Sequence, residues 1–154
     1  CSELWANKIY GPSYISLEYA LSFYGLIPEH VFLVTSVTSK RKKNFITPIG
    51  NFSYAYLPLK LYSVGYALLE LNQRQSALIA SPEKALADLF YFRKFDVQLL
   101  KEFKDLLFDD LRIDSELLYQ LDTDLLFGIF HAGGSKLLLL LIELIKEKKY
   151  ESSN

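Results

Sequence analysis

Apolar residues at Leu17, Ala20, Leu21 and Tyr24 recur at helical spacing, with Ser16 placed to cap the helix and Glu18 in its first turn. Gly25 and then Pro28 end it. Three runs rich in Val, Ile, Thr, Tyr and Phe follow at 31–38, 44–49 and 52–57, and they read as strands. Residues 39–43 separate the first two runs, and Gly50-Asn51 predicts a two-residue turn before the third. Runs at 66–71 and 76–80 flank 72–75, which predicts a further hairpin.

After Ala80 the period changes from two to about 3.6. Ser81, Pro82 and Glu83 supply a cap, a first-turn proline and an acid, and Ala85, Leu86, Leu89 and Phe90 share one face of the helix they start. Leu99, Leu100, Phe103, Leu106 and Leu107 mark a second helix. A third, carried by Leu117, Leu118, Leu121 and Leu125, breaks near Thr123, and residues 135–149 form the last after Gly133-Gly134. The predicted class is α+β: an N-terminal helix, about five mostly antiparallel strands, then a C-terminal run of four or five helices. Residues 1–94 form an α+β core in this reading, and 95–154 a helical subdomain packed on it.

The chain has 154 residues, 51% of them hydrophobic and 23% charged, which excludes intrinsic disorder and supplies enough apolar surface for a core. A formal net charge of −1 excludes a globally basic nucleic-acid binder. Charge is nevertheless segregated: residues 1–94 hold 10 Lys and Arg against 6 Asp and Glu, and residues 95–154 hold 7 against 12. The second half therefore presents an acidic helical surface, solvated or open to a basic partner. One cysteine and two distant histidines allow neither a disulfide framework nor a zinc spacing, so no metal and no cofactor are expected and a reducing cytoplasm is the natural setting. Cys1-Ser2 is also how a mature bacterial lipoprotein would begin, but the lack of any methionine favours a missing N-terminal portion. The longest apolar run, Leu137 to Ile142, is far short of the ~20 residues a membrane helix needs.

Two constellations carry candidate chemistry. Lys40, Arg41, Lys42 and Lys43 fall between two predicted strands, where a hairpin tip would offer four cations to phosphate oxygens or blunt a sheet edge. Glu83, Lys84 and Asp88 open a helix just after a strand, a place that suits catalytic acids. Their contiguity departs from the acid and acid-x-Lys spacing of a metal-dependent nuclease, and a helix-dipole acid with a Lys84 to Asp88 pair four residues apart accounts for them as well. His30 and His131 have no nucleophile at a defensible spacing, and Gly133-Gly134 lacks a phosphate-loop pattern.

From Ile9 to Glu29 the sequence IYGPSYISLEYALSFYGLIPE resembles the AbiEi family, the antitoxins and transcriptional regulators of AbiE-type abortive-infection systems. The similarity continues through VTSVTSKR at 34–41, TPIGNFSY at 47–54 and IASPEKALADL at 79–89, four segments in order over about half the chain. Ser16, Glu18, Leu21, Gly25, Gly50, Glu83, Lys84 and Asp88 are the motif residues. The resemblance implies a bacterial type IV toxin–antitoxin component active in phage defence. It implies an N-terminal winged helix that binds operator DNA, absent or removed here, and a C-terminal domain that counters a nucleotidyltransferase-like toxin without a stable complex. The alternative is an enzyme acting on nucleic acid through Glu83 and Asp88.

Overall fold

The computed structural model describes residues 2–153. Helix α1 (Ser2–Ile9) leads into the short strand β1 (Ser13–Ile15), helix α2 (Leu17–Phe23) and strand β2 (Val34–Thr38). Strands β3 (Lys43–Thr47) and β4 (Gly50–Tyr56), helix α3 (Leu59–Tyr62), and strands β5 (Tyr66–Asn72) and β6 (Gln75–Ala80) follow. The rest is helical: α4 (Pro82–Phe92), α5 (Leu100–Asp105) running into a π-helical turn (Leu106–Asp110), α6 (Ser115–Tyr119), α7 (Thr123–His131) and α8 (Leu137–Ser153). The α+β class stands.

The strands form one mixed sheet in the order β3-β4-β2-β1-β6-β5. Two pairings are parallel, β1 with β6 and β2 with β4, so the sheet is less uniformly antiparallel than the sequence suggests. Register places Tyr54, Ser36 and Ile15 side by side on one face, and Tyr14 and Val37 on the other, because successive side chains alternate. The Tyr54 hydroxyl donates to the Ala6 carbonyl of α1, whereas the Tyr14 hydroxyl meets Lys84 of α4. The sheet is thus a middle layer between α1 and the packed pair α2 and α4. All five residues of β2 are buried as a result. A single buried cluster runs from Ala6 through the sheet to Leu144 and Ile145 of α8, which seats residues 95–154 on the same core as 1–94.

Local chemistry explains the boundaries. Ser81 accepts the Lys84 N–H at 3.1 Å and Pro82 follows as the first helical residue, so α4 starts where its cap dictates. Asp114 and Asp122 cap α6 and α7 in the same way. Gly25, at φ +79°, ends α2: the Leu26 N–H reaches back to the Leu21 carbonyl at 2.9 Å, the six-to-one bond of a left-handed helix stop. Where β1 is too short to cover β6, the Asn7 amide substitutes for a strand, accepting the Leu78 N–H at 2.6 Å and donating to its carbonyl at 3.3 Å.

Two further expectations are corrected. The turn between β3 and β4 is Pro48-Ile49, with Thr47 opposite Gly50, so Gly50-Asn51 opens a strand instead of making the turn. Proline's fixed φ suits the first turn position, and the Thr47 hydroxyl closes the turn on the Gly50 carbonyl at 2.7 Å. Residues 39–42 are not a hairpin tip: β4 lies between β2 and β3, so the loop crosses over the end of a strand. Helices α1 and α3 and strand β1 had no expectation attached to them, being brief or lacking a full amphipathic period. Among the described residues no helix is long and apolar enough to cross a membrane. Cys1, raised above as a lipidation site, lies outside the described residues.

Candidate functional site

Two of the resembling segments meet inside the molecule. Ser16 sits between β1 and α2, and Leu17 behind it adopts φ +59°, a left-handed conformation rare for leucine, which turns the chain sharply from strand to helix. That turn aims the Ser16 hydroxyl at Asp88 of α4, where it donates to Oδ2 at 2.6 Å. Lys84 lies one helical turn before Asp88, and its Nζ meets Oδ1 at 2.6 Å. The same ammonium reaches the Tyr14 hydroxyl at 2.9 Å, and Tyr14 donates to the Tyr62 carbonyl at 3.0 Å. Rings of Tyr62 and Tyr66 flank Tyr14, the latter stacked at 4.7 Å between centroids.

This cluster is closed to water. Lys84, Asp88, Ser16 and Tyr14 are each 0% exposed. Gly65, at φ +83°, lies directly on the lysine stem, where a Cβ would come within 2.8 Å of the Lys84 Cβ. Burial pushes the Asp88 carboxyl up and the Lys84 ammonium down from their ordinary values, each opposed by the other's charge. Burial also drives the Tyr14 hydroxyl upward, with the Asp88 charge adding to it. Ser16, Lys84 and Tyr14 each donate to an acceptor within the cluster, which is what makes an interior charge pair tolerable.

Glu83 does not join them. Its carboxylate reaches the opposite way and accepts the Asp122 N–H at 2.9 Å, tying the start of α4 to that of α7. The two acids offered above as a catalytic pair therefore serve different contacts, one in the core and one at a helix junction. Leu21 is buried beneath α2. Glu18 is half-buried on the wall of an open groove of about 510 Å³ that also borders Glu29, Arg93 and Asp110. Gly50 begins β4 at φ +143°. Among the described residues no three His, Cys, Asp or Glu side chains gather to hold a metal ion.

Lys40, Arg41, Lys42 and Lys43 are all exposed, and none forms an ion pair among the described residues. Their backbone is pinned: Tyr10 donates to the Arg41 carbonyl at 2.9 Å, and the Thr38 hydroxyl accepts the Lys40 N–H at 3.1 Å. Lys40 and Lys43 stand 5.7 and 5.3 Å from the Tyr10 ring centre. Lys43 itself belongs to β3, opposite Tyr54. His30 and His131 are exposed, each edge-on to a phenylalanine.

Comparison of the chain with family profiles, with curated proteins and with solved structures finds no match. What can be said of function rests on the residues and their geometry. Tyr14, Tyr62 and Gly65 complete the buried cluster, and the sequence does not single them out for it. Tyr14 lies within the first resembling segment without being a motif residue, and Tyr62, Gly65 and Tyr66 fall in a stretch whose periodicity does not resolve their role.

Proposed function

We propose that the chain is a non-enzymatic antitoxin and regulator domain of a type IV toxin–antitoxin system, acting in the cytoplasm against a nucleotidyltransferase-like toxin. The observation that carries this reading is the fate of its motif residues. Ser16, Lys84 and Asp88, drawn from two of the resembling segments, are consumed by one sealed internal cluster, and Glu83 is consumed by a helix junction. Residues spent in this way specify a scaffold, and the work of the domain falls to its exposed surface. The pinned cationic loop at Lys40–Lys43 supports a contact of the domain with operator DNA.

The test is rescue of growth. Cells expressing a nucleotidyltransferase-like toxin of an AbiE-type system should recover when the chain is co-expressed, and recover equally with Glu83→Gln. Failure of the folded chain to rescue overturns the antitoxin reading. Loss of rescue in a Glu83→Gln protein of unchanged melting temperature instead favours an enzyme using that carboxylate.

A further inference from the structure

A second open groove, of about 530 Å³, lies where the C-terminal end of α4 meets the loop before α8. Its lining is strongly aromatic: Phe90, Tyr91, Phe92 and Phe95 come from one stretch of chain, and Tyr56 from the end of β4. Phe90 is fixed in the core, 1% exposed and edge-on to Phe95 and Phe103 at 6.3 and 5.7 Å between centroids. Tyr91, Phe92 and Phe95 are only half-buried; the Arg93 guanidinium stands over the Phe95 ring at 5.2 Å, so the ring surface open to a ligand comes chiefly from Tyr91, Phe92 and Tyr56. Among the described residues Lys94 is the one charged member of the lining, and no carboxylate borders the space. Gly133 forms an open margin, since a Cβ there would meet nothing within 4 Å. The Ser135 hydroxyl accepts the Leu137 N–H at 3.1 Å and keeps its own proton to donate, so an anion here is offered the Lys94 ammonium and the Ser135 O–H.

We propose that this groove binds a nucleoside phosphate, free or as the terminal residue of a nucleic acid strand, with the base against the aromatic residues and the phosphate at Lys94. The volume falls in the range of small-ligand sites, about 300–1,000 Å³. Aromatic surface holds any base by its face, and one cation without a competing carboxylate selects an anionic ligand over a neutral or cationic ring. The groove shares no lining residue with the Lys84–Asp88 cluster or with Lys40–Lys43, although its Tyr56 pairs with Thr38 just before that loop, and the inference does not rest on the antitoxin reading.

Isothermal titration calorimetry of the whole chain decides it, with adenosine monophosphate, uridine monophosphate, ribose 5-phosphate, and a short single strand with a free end as probes. Expected is saturable binding of the nucleotides and none of ribose 5-phosphate, which carries the charge without the base. Lys94→Gln, an exposed substitution that leaves the fold alone, weakens binding about tenfold, the worth of one charge-assisted hydrogen bond. Tyr91→Ala, checked for an unchanged circular dichroism spectrum, weakens it at least as much. Tighter binding of the strand than of the mononucleotide assigns the ligand to a nucleic acid end, and the reverse to the free nucleotide. Absence of binding by every base-bearing probe overturns the proposal, as does binding indifferent to Lys94→Gln.

Discussion

Lys84 is the residue whose environment differs most from what its type would choose. A lysine is rarely fully buried, and the cost of stripping water from its ammonium is offset here by Asp88, Tyr14 and the closure of Gly65 over its stem. Removing one partner strands the other. Lys84→Met should lower unfolding free energy by about 3–5 kcal/mol, measured by urea denaturation, whereas Lys84→Met with Asp88→Leu should recover much of that loss. Equal losses in the single and double variants would show that packing, not the stranded charge, sets the cost. The Lys84 and Asp88 pair was legible because four residues on a helix is a contact distance. Its burial was not, since a helix beginning Glu-Lys reads as solvent-facing until Tyr14 and Ser16 are brought over it by the left-handed turn at Leu17.

At the scale of elements, capped helix starts were more legible than strand order. The cap, proline and acid at 81–83 mark the start of α4 to the residue, because each group satisfies a definite backbone donor or dipole. Strand order carries no comparable local mark. The cationic residues at 40–43 fit a hairpin tip by composition, yet β4 inserts between the strands they connect, a pairing set by contacts far along the chain. Tyr10 holds the Arg41 carbonyl, and the only side-chain contacts of these cations among the described residues are the exposed cation–π approaches of Lys40 and Lys43, so replacing all four with serine should lower the melting temperature only slightly. If the loop touches operator DNA, the same change flattens the log–log dependence of affinity on salt by about 0.9 for each phosphate it no longer neutralises. An unaltered slope in a titration series would remove the loop from the interface.

For the whole molecule, the tyrosines make alkali the weak side of the fold. Burial pushes Tyr19, Tyr54 and Tyr62 up to about 12 from the ordinary 10.0, with the Glu3 hydrogen bond and charge adding at Tyr19, and Tyr14, Tyr24 and Tyr119 also move upward. The folded state therefore keeps protons that the unfolded chain gives up. The stability these groups contribute is present below pH 10 and is lost as pH rises from there through about 12. Unfolding followed by circular dichroism should coincide with the ultraviolet absorbance of tyrosinate; ionisation complete in a still-folded protein would contradict the burial of these hydroxyls.

The reach of the Ser16–Asp88 cluster also fixes when it can form. Ser16 and Asp88 are 72 residues apart, Tyr14 and Lys84 are 70, and Tyr14 and Tyr62 are 48; only Lys84 and Asp88 are neighbours, at four. A nascent α4 can carry its charged pair fully hydrated, and dehydration waits until loops of that length have closed, which is the slow, entropic part of folding. Contacts completed after the barrier govern the rate of escape from the native state and leave the rate of entry untouched. Ser16→Ala is thus expected to steepen decay in the unfolding arm of a chevron plot while refolding times stay near those of the parent. The cluster would then act as a kinetic clasp, setting how long the folded domain lasts rather than how quickly it is reached.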